Sequence, residues 1–457
     1  MLDRRRFLAG VSGLGAATAF RIGTGHAAPD FSLASMRGAI DAGEFGVRPA
    51  RFDDQSKTFQ AMLDRAAERG IAIHLPAGDY VVSNIDLPAA VHLSGVPGAS
   101  RIVYGGDGHL FAAEDAEHIE LEGVELDGAN RWLGDHVQGL LDARRARHLV
   151  VDNCRVTGSG KNGLALEKCG GRITRSTLSG AADAALYAVE STGLSVTGNV
   201  VADCANGGIL IHRWQPGEDG TIVTGNRVAR IGAVNGGTGQ YGNGINVFRA
   251  AGVIVADNHV SDCAFSTIRA NSASNIQIRG NTCLRAGETS IYAEFAFEGA
   301  VIASNIVDGA ANGISIVNFN EGGRIAVCSG NIVRNMATEG PYPADPPGFG
   351  VGIAVEADCA VTGNVVENAP RYGMHFGWGE FMRNIAATGN VVRKAGEGIA
   401  VSVVEGNGSV LIADNVFDAV PGGAVVGHRW TEAVTGDLTK ESTSRFPNLT
   451  VVNNSVR

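Results

Sequence analysis

Aromatic side chains make up only 6% of the 457-residue chain, charged ones only 18%, and the 13 prolines fall almost entirely outside its repeating segments. No apolar run is long enough to hold the chain in a bilayer as a stable anchor. A Gly-rich phosphate loop, a Ser/His/Asp nucleophile signature and a His/Cys/Asp metal spacing are all missing, so no cofactor and no metal are expected. Seven cysteines, Cys154, Cys169, Cys204, Cys263, Cys283, Cys328 and Cys359, form no CxxC pair. Odd in number and scattered singly, they read as small core hydrophobes left unpaired. Basic residues are outnumbered 37 to 47, which argues against nucleic acid or an anionic membrane surface as a general partner. A local arginine patch for an anionic sugar polymer is still compatible with that balance.

Glycine, by contrast, is abundant. Its 64 residues are about twice the usual frequency, and Val, Ile, Asn and Ala recur in short bursts, as many short strands joined by tight turns require. The first 27 residues stand apart from this pattern. Arg4-Arg5-Arg6-Phe7-Leu8, a mild apolar run to Phe20 and the small-residue stretch Gly25-His26-Ala27 before Ala28 have the order of a cleavable signal. Arg4–Leu8 resembles the twin-arginine export signal, which implies folding in the cytoplasm, the twin-arginine export machinery as a partner, and a periplasmic or secreted bacterial protein. Losing residues 1–27 removes four arginines and one aspartate and moves the net charge from −10 to −13. The division expected is a signal over 1–27, a linker over 28–43 and one elongated unit over 44–457.

A repeat organises that unit. Asn199, Asn226, Asn258, Asn281, Asn305, Asn331, Asn364, Asn390, Asn415 and Asn454 each sit in a turn of the type TGNVV or ADNHV, with Asn153 ahead of them and Ser176 filling one step. From Asn199 the spacings are 27, 32, 23, 24, 26, 33, 26, 25 and 39 residues, most of them one coil of a parallel β-helix. Leucine-rich repeats share this period but need a leucine ladder, which is lacking. The asparagines read as a structural column: stacked amides can form a ladder, and Asn tolerates a left-handed backbone. Three long spacings mark insertions at 230–243, 336–350 and 428–447, which carry Tyr241, Tyr342 and Trp430 and are candidate groove walls.

Ahead of the repeats, Asp53 and Asp54 are candidate N-caps for a helix over about 54–69, with Phe59, Met62, Leu63, Ala66 and Ala67 at helical spacing and Gly70 as its stop. The sequence of FGV, DD, helix and LPAGDY resembles the start of the pectate-lyase-like right-handed parallel β-helix superfamily, and GVELDGAN resembles a strand and turn found early in its polysaccharide-acting members. The export signal and repeats together resemble a bacterial family of twin-arginine-translocated repeat proteins of unassigned function. The resemblance implies an all-β fold: a single-stranded right-handed parallel β-helix, or solenoid, with a short capping helix over its open N-terminal end. Neither the DPHD of mannuronate epimerases nor the paired aspartates of polygalacturonases is present, so the family's catalytic residues do not carry over.

The strands GILIHR, GINVFR, TIRANS and SIYAEF concentrate polar side chains on consecutive coils. Alternation along a strand puts Leu210, Asn246, Arg269, Tyr292, Ser315, Ala354 and His375 in one outward column, and His212, Phe248, Asn271, Glu294, Val317 and Glu356 in a second. Candidate catalytic residues are His212, Arg269, Tyr292 and Glu294. Candidate substrate-binding residues are Arg213, Asn246, Arg249, Asn271, Tyr241, His375 and Trp378. Arginines for a carboxylate, with His212, Tyr292 and Glu294 for proton exchange, suit a lyase or C5-epimerase acting on a uronic-acid glycan. A glycoside hydrolase, which needs two carboxylates, and a non-catalytic carbohydrate-binding or envelope scaffold are the alternatives. Pairing of Arg269 with Glu294 is the structural alternative for the central pair. His375, Trp378, Glu380 and Arg383, with His428, Arg429 and Trp430, read equally as sugar-stacking groups or as packing for the longest loop. The Asn-turn setting of Asp257 and Asp262 speaks against calcium there.

Overall fold

A computed structural model describes residues 38–49 and 53–457. The twin-arginine signal and its cleavage site lie outside the described residues. Each coil contributes one strand to each of three faces. In one coil these are Ile254–Ala256, His259–Cys263 and Ile268–Asn271, and in the next Ile276–Arg279, Thr282–Ala286 and Thr289–Glu294. Among the described residues the first face is a sheet of 16 strands, from Ala39–Asp41 to Leu449–Val452. The other two are linked into one 28-stranded set because Val365–Phe376 and Val391–Ser402 run from one face to the next without a break. Pairing between named strands is parallel except where Val425–Arg429 meets Glu432–Asp437.

Alternation explains the core. Val255, Val260, Ile268, Ala270, Ile278, Cys283, Ile291 and Ala293 point inward from the two coils above and are at most 1% exposed. Cys283 pairs with Val260 across the second face, filling a position that elsewhere takes valine. All seven cysteines are buried and free.

The asparagine column is a ladder between the first and second faces. From Asn199 to Asn454, each Asn donates from its Nδ2 and from its backbone N–H to the Oδ1 of the next Asn, at 2.9–3.0 Å. The second Nδ2 proton goes back to a carbonyl of the preceding coil, as from Asn281 to Val255. Two expectations are corrected. The left-handed residue is the one before the ladder Asn, for example Gly198, Gly225 or Gly280 at φ +66°, and not the Asn itself. Asn153 occupies that left-handed position, at φ +50°, so the ladder place on its coil belongs to Cys154, whose N–H donates to Ser176 Oγ at 3.0 Å.

The capping helix runs over Ser56–Arg69 and buries Phe59, Met62, Leu63 and Ala66 on the first coils, with the Phe59 and Phe111 rings 6.2 Å apart. An unpaired first coil would expose both core and strand edges. Gln55, not Asp53 or Asp54, holds the N-cap position, while Asp54 accepts the Ser56 N–H at 2.9 Å. Within the stretch expected as linker, Ala39–Asp41 forms the outermost strand of the first sheet, pairing with Ala72–His74. Among the described residues no helix is long and apolar enough to cross a membrane.

Candidate functional site

Strand register puts the first outward column together as alternation requires: Leu210, Asn246, Arg269, Tyr292, Ser315, Ala354 and His375 are successive cross-strand partners on the third face. His212, Phe248, Asn271 and Glu294 follow one another in the second column. Coils are about 4.8 Å apart, so Tyr292 to His375 spans about 14 Å.

Those last four positions form the floor of a pocket of about 290 Å³. Its wall is the insertion at 337–350, which brings Tyr342, Asp345 and Phe349 over the sheet. Tyr342 anchors the wall, stacking on Phe265 at 6.1 Å, meeting Phe349 edge-on at 5.7 Å and donating its hydroxyl to Glu288. Trp378 closes the far end, 6.3 Å from the His375 ring and 5.4 Å from Trp430 of the third insertion. Glu380 and Arg429 lie outside the pocket lining, and Arg429 pairs with Glu405. A wider depression of about 820 Å³ beside the capping helix is lined by Lys57, Asp64, Asp107 and Arg131 among other residues and contains no aromatic side chain.

The central trio is reordered by this geometry. Glu294 is 2% exposed and accepts from Arg269 Nε at 2.6 Å and Asn271 Nδ2 at 2.8 Å, so it holds Arg269 in place and does not face the pocket. Arg269 lies beneath Gly239 of the 232–242 loop, where any Cβ would come within 1.7 Å of Nη1. Its Nη1 is buried without a hydrogen-bond partner among the described residues, 3.6 Å from Glu288, and its guanidinium sits 5.2 Å from the Tyr292 ring centroid. Tyr292 does line the pocket, and burial, with Glu294 and Glu288 close by, holds its phenol well above the ordinary range.

His212 is not part of this cluster. It lies three coils from Glu294, wedged between Tyr187 at 5.5 Å and Phe248 at 5.6 Å, and burial pulls its pKa down to about 4. Arg213 pairs with Glu190 at 2.9 Å, while Arg249 donates to the Trp214 carbonyl and lies 4.7 Å from the Phe248 centroid. Asn246 is buried beside Arg269, and Tyr241 stands on the 232–242 loop outside the pocket lining. His375 is in the floor, and burial, with His428 beside it, lowers its pKa to about 4 and keeps it neutral. His428 itself is 2.7 Å from Glu397, and Arg383 pairs with Asp358 at 2.8 Å.

Two carboxylates matter more here than the sequence suggests. Glu356, two coils beyond Tyr292, lines the pocket, accepts the Phe319 N–H at 2.6 Å and is pushed up to about 7 by burial. Glu288 is 2% exposed, and burial raises its pKa against the opposing pull of Arg269. A signal for Glu288 was available in the register. Asp183 occupies the same column four coils earlier, each acid stands four residues before an outward tyrosine, Tyr187 or Tyr292, and burial raises Asp183 too.

Three faces of parallel strands, a stacked polar turn and loops walling one face define a right-handed parallel β-helix protein with a side-on pocket. The chain belongs to the right handed beta helix region family, which matches residues 122–239, 173–322 and 238–417. No curated protein matches it in sequence. Among solved structures, the N-terminal fragment of gene product 12 of bacteriophage phi29 is 15% identical, with a TM-score of 0.53 over 85% of this chain and 68% of that one. The pre-mature form of the same phage protein is 13% identical, with a TM-score of 0.54 over 87% of this chain, which spans 58% of its length. The A-module of the mannuronan C-5 epimerase AlgE4 of Azotobacter vinelandii is 14% identical, with a TM-score of 0.43 over 90% of this chain and 100% of that module. At such identities the likeness is one of fold.

Proposed function

We propose that the protein is a polysaccharide-acting enzyme in which Glu356 is the group that exchanges a proton with the substrate. One observation carries this reading: a carboxyl raised to about 7 lies in a loop-walled pocket that it shares with a phenol and two aromatic faces. A carboxyl protonated near neutrality can give its proton to the glycosidic oxygen as the C–O bond breaks and regain one from the water that bonds to the sugar carbon in its place. Tyr292 contributes a hydroxyl at the same floor, His375 a neutral ring, and Trp378 a face for stacking on a sugar.

The lyase or C5-epimerase reading asks Arg213, Arg249 and Arg269 to neutralise a substrate carboxylate. All three are engaged by Glu190, Trp214, Glu294 and Glu288, so the geometry supports that chemistry less well than proton donation to an oxygen. A purely binding role is the competing reading from a different class. Turnover of a glycan panel by wild type and Glu356→Gln separates them. The variant should lose at least about 100-fold in turnover while still binding, and undiminished turnover would sink the assignment. Export to the periplasm or beyond is proposed as well, on the strength of Arg4–Leu8 and the cleavage site before Ala28.

A further inference from the structure

We infer that the sugar seated in this pocket carries no carboxylate, so that the glycan is built of neutral or amino-sugar units there and not of uronic acids. This deepens the enzymatic reading and rests on it.

The inference comes from charge. The lining includes Glu288, Asp345 and Glu356, and among the described residues it includes no lysine and no arginine. Arg269, the guanidinium next to it, is covered by Gly239 and directed at Glu294 and Glu288, two acids for one base. Arg371, at the root of the wall, spends its Nε on the Phe349 carbonyl at 2.9 Å and is not in the lining. Arg383 is held by Asp358 on the other side, with its guanidinium 4.5 Å from the Phe319 centroid. A uronate entering here would lose hydration, meet the Asp345 carboxylate and find no cation among the described residues to receive it. A hydroxyl-bearing ring meets acceptors instead: Asp345 takes O–H or N–H donors, and Asn312, Asn318 and Ser315 serve either role. Tyr292, Tyr342, Phe349 and Trp378 supply the apolar surface that the C–H faces of a pyranose cover. An ammonium on an amino sugar would be welcomed by the same carboxylate.

Binding of the wild-type protein to two sets of polymers tests this. One set is a β-glucan, a galactan, a mannan and chitosan, and the other is polygalacturonate and alginate. Calorimetry at pH 6 and low salt should show at least one member of the first set binding ten-fold or more tighter than either uronate. Trp378→Ala and Tyr292→Phe, checked for folding by circular dichroism, locate the ligand: loss of binding in either supports this pocket, and full binding in both overturns the inference. Tighter binding of a uronate overturns it as well. If such a uronate is turned over and Glu356→Gln abolishes that turnover, the enzymatic reading stands while the substrate class falls. If turnover survives Glu356→Gln, the enzymatic reading itself is wrong whichever sugar is bound. Silence toward both sets overturns both.

Discussion

Glu356 owes its behaviour to what surrounds it and not to a charged partner. The Phe319 and Asn318 backbones both act to lower its pKa, Phe319 through an N–H at 2.6 Å, while burial outweighs them and raises it to about 7. Because the folded-state value lies above the unfolded one of 4.5, the folded form binds the proton more tightly. The contribution of Glu356 to stability is therefore greatest below about pH 4.5 and falls as pH rises through about 7, by roughly 3 kcal/mol. Glu356→Gln should flatten that fall, measured as the denaturation midpoint between pH 4.5 and 8. Turnover should follow the same group, declining above about pH 7 as the acid is lost, and a wild-type rate that climbs through pH 8 would remove Glu356 from the role. Glu294, which the alternation of the strand also turns outward, shows what the strand period leaves undecided. The period of two gives the side of the sheet, but whether that side is open depends on the 232–242 loop and on which neighbour reaches the carboxylate first. Arg269 and Asn271 do so here.

At the scale of elements, the asparagine ladder and the inserted loops differ in how far they can be read. The ladder is legible because one side chain recurs in one turn, and only its first member was displaced, since an asparagine also suits the left-handed position held by Asn153. Asn281→Ala should leave the Asn258 N–H and Nδ2 without their acceptor and the Val255 carbonyl without its donor, costing about 2–4 kcal/mol. Asn281→Ser should cost about half of that, because Ser176 already accepts a backbone N–H at the corresponding step. Hydrogen exchange at the Asn258 amide reads the difference, and equal protection in all three proteins would show that the ladder contributes little. The loops are another matter. Residues 337–350 are recognisable as an insertion, but the fact that Tyr342 turns back to Glu288 across the coils is set by tertiary contacts with Phe265 and Phe349. That fold-back is what brings Glu288 and Glu356 to one pocket: the register marks each position, but nothing in the strand pattern joins the two.

As a whole molecule the chain is one long core bounded by a helix at one end, and its architecture was written in the repeat. The seven buried thiols belong to that scale too. All are free and fill core positions as small hydrophobes. Replacing both Arg4 and Arg5 by lysine should leave the protein in the cytoplasm with its first residues uncleaved, as read by cell fractionation and N-terminal mass, and periplasmic accumulation of that variant would refute the export route. The ladder also gives the stack a direction. Every ladder residue from Asn199 to Asn415 donates its backbone N–H and one Nδ2 proton toward the coil that follows it in sequence. On a ribosome that coil has not yet been made, so at each moment of synthesis the newest turn ends in two donors awaiting an acceptor still to be translated. Assembly then resembles templated growth of a filament, with each added coil completing the one before it and leaving the same vacancy for the next.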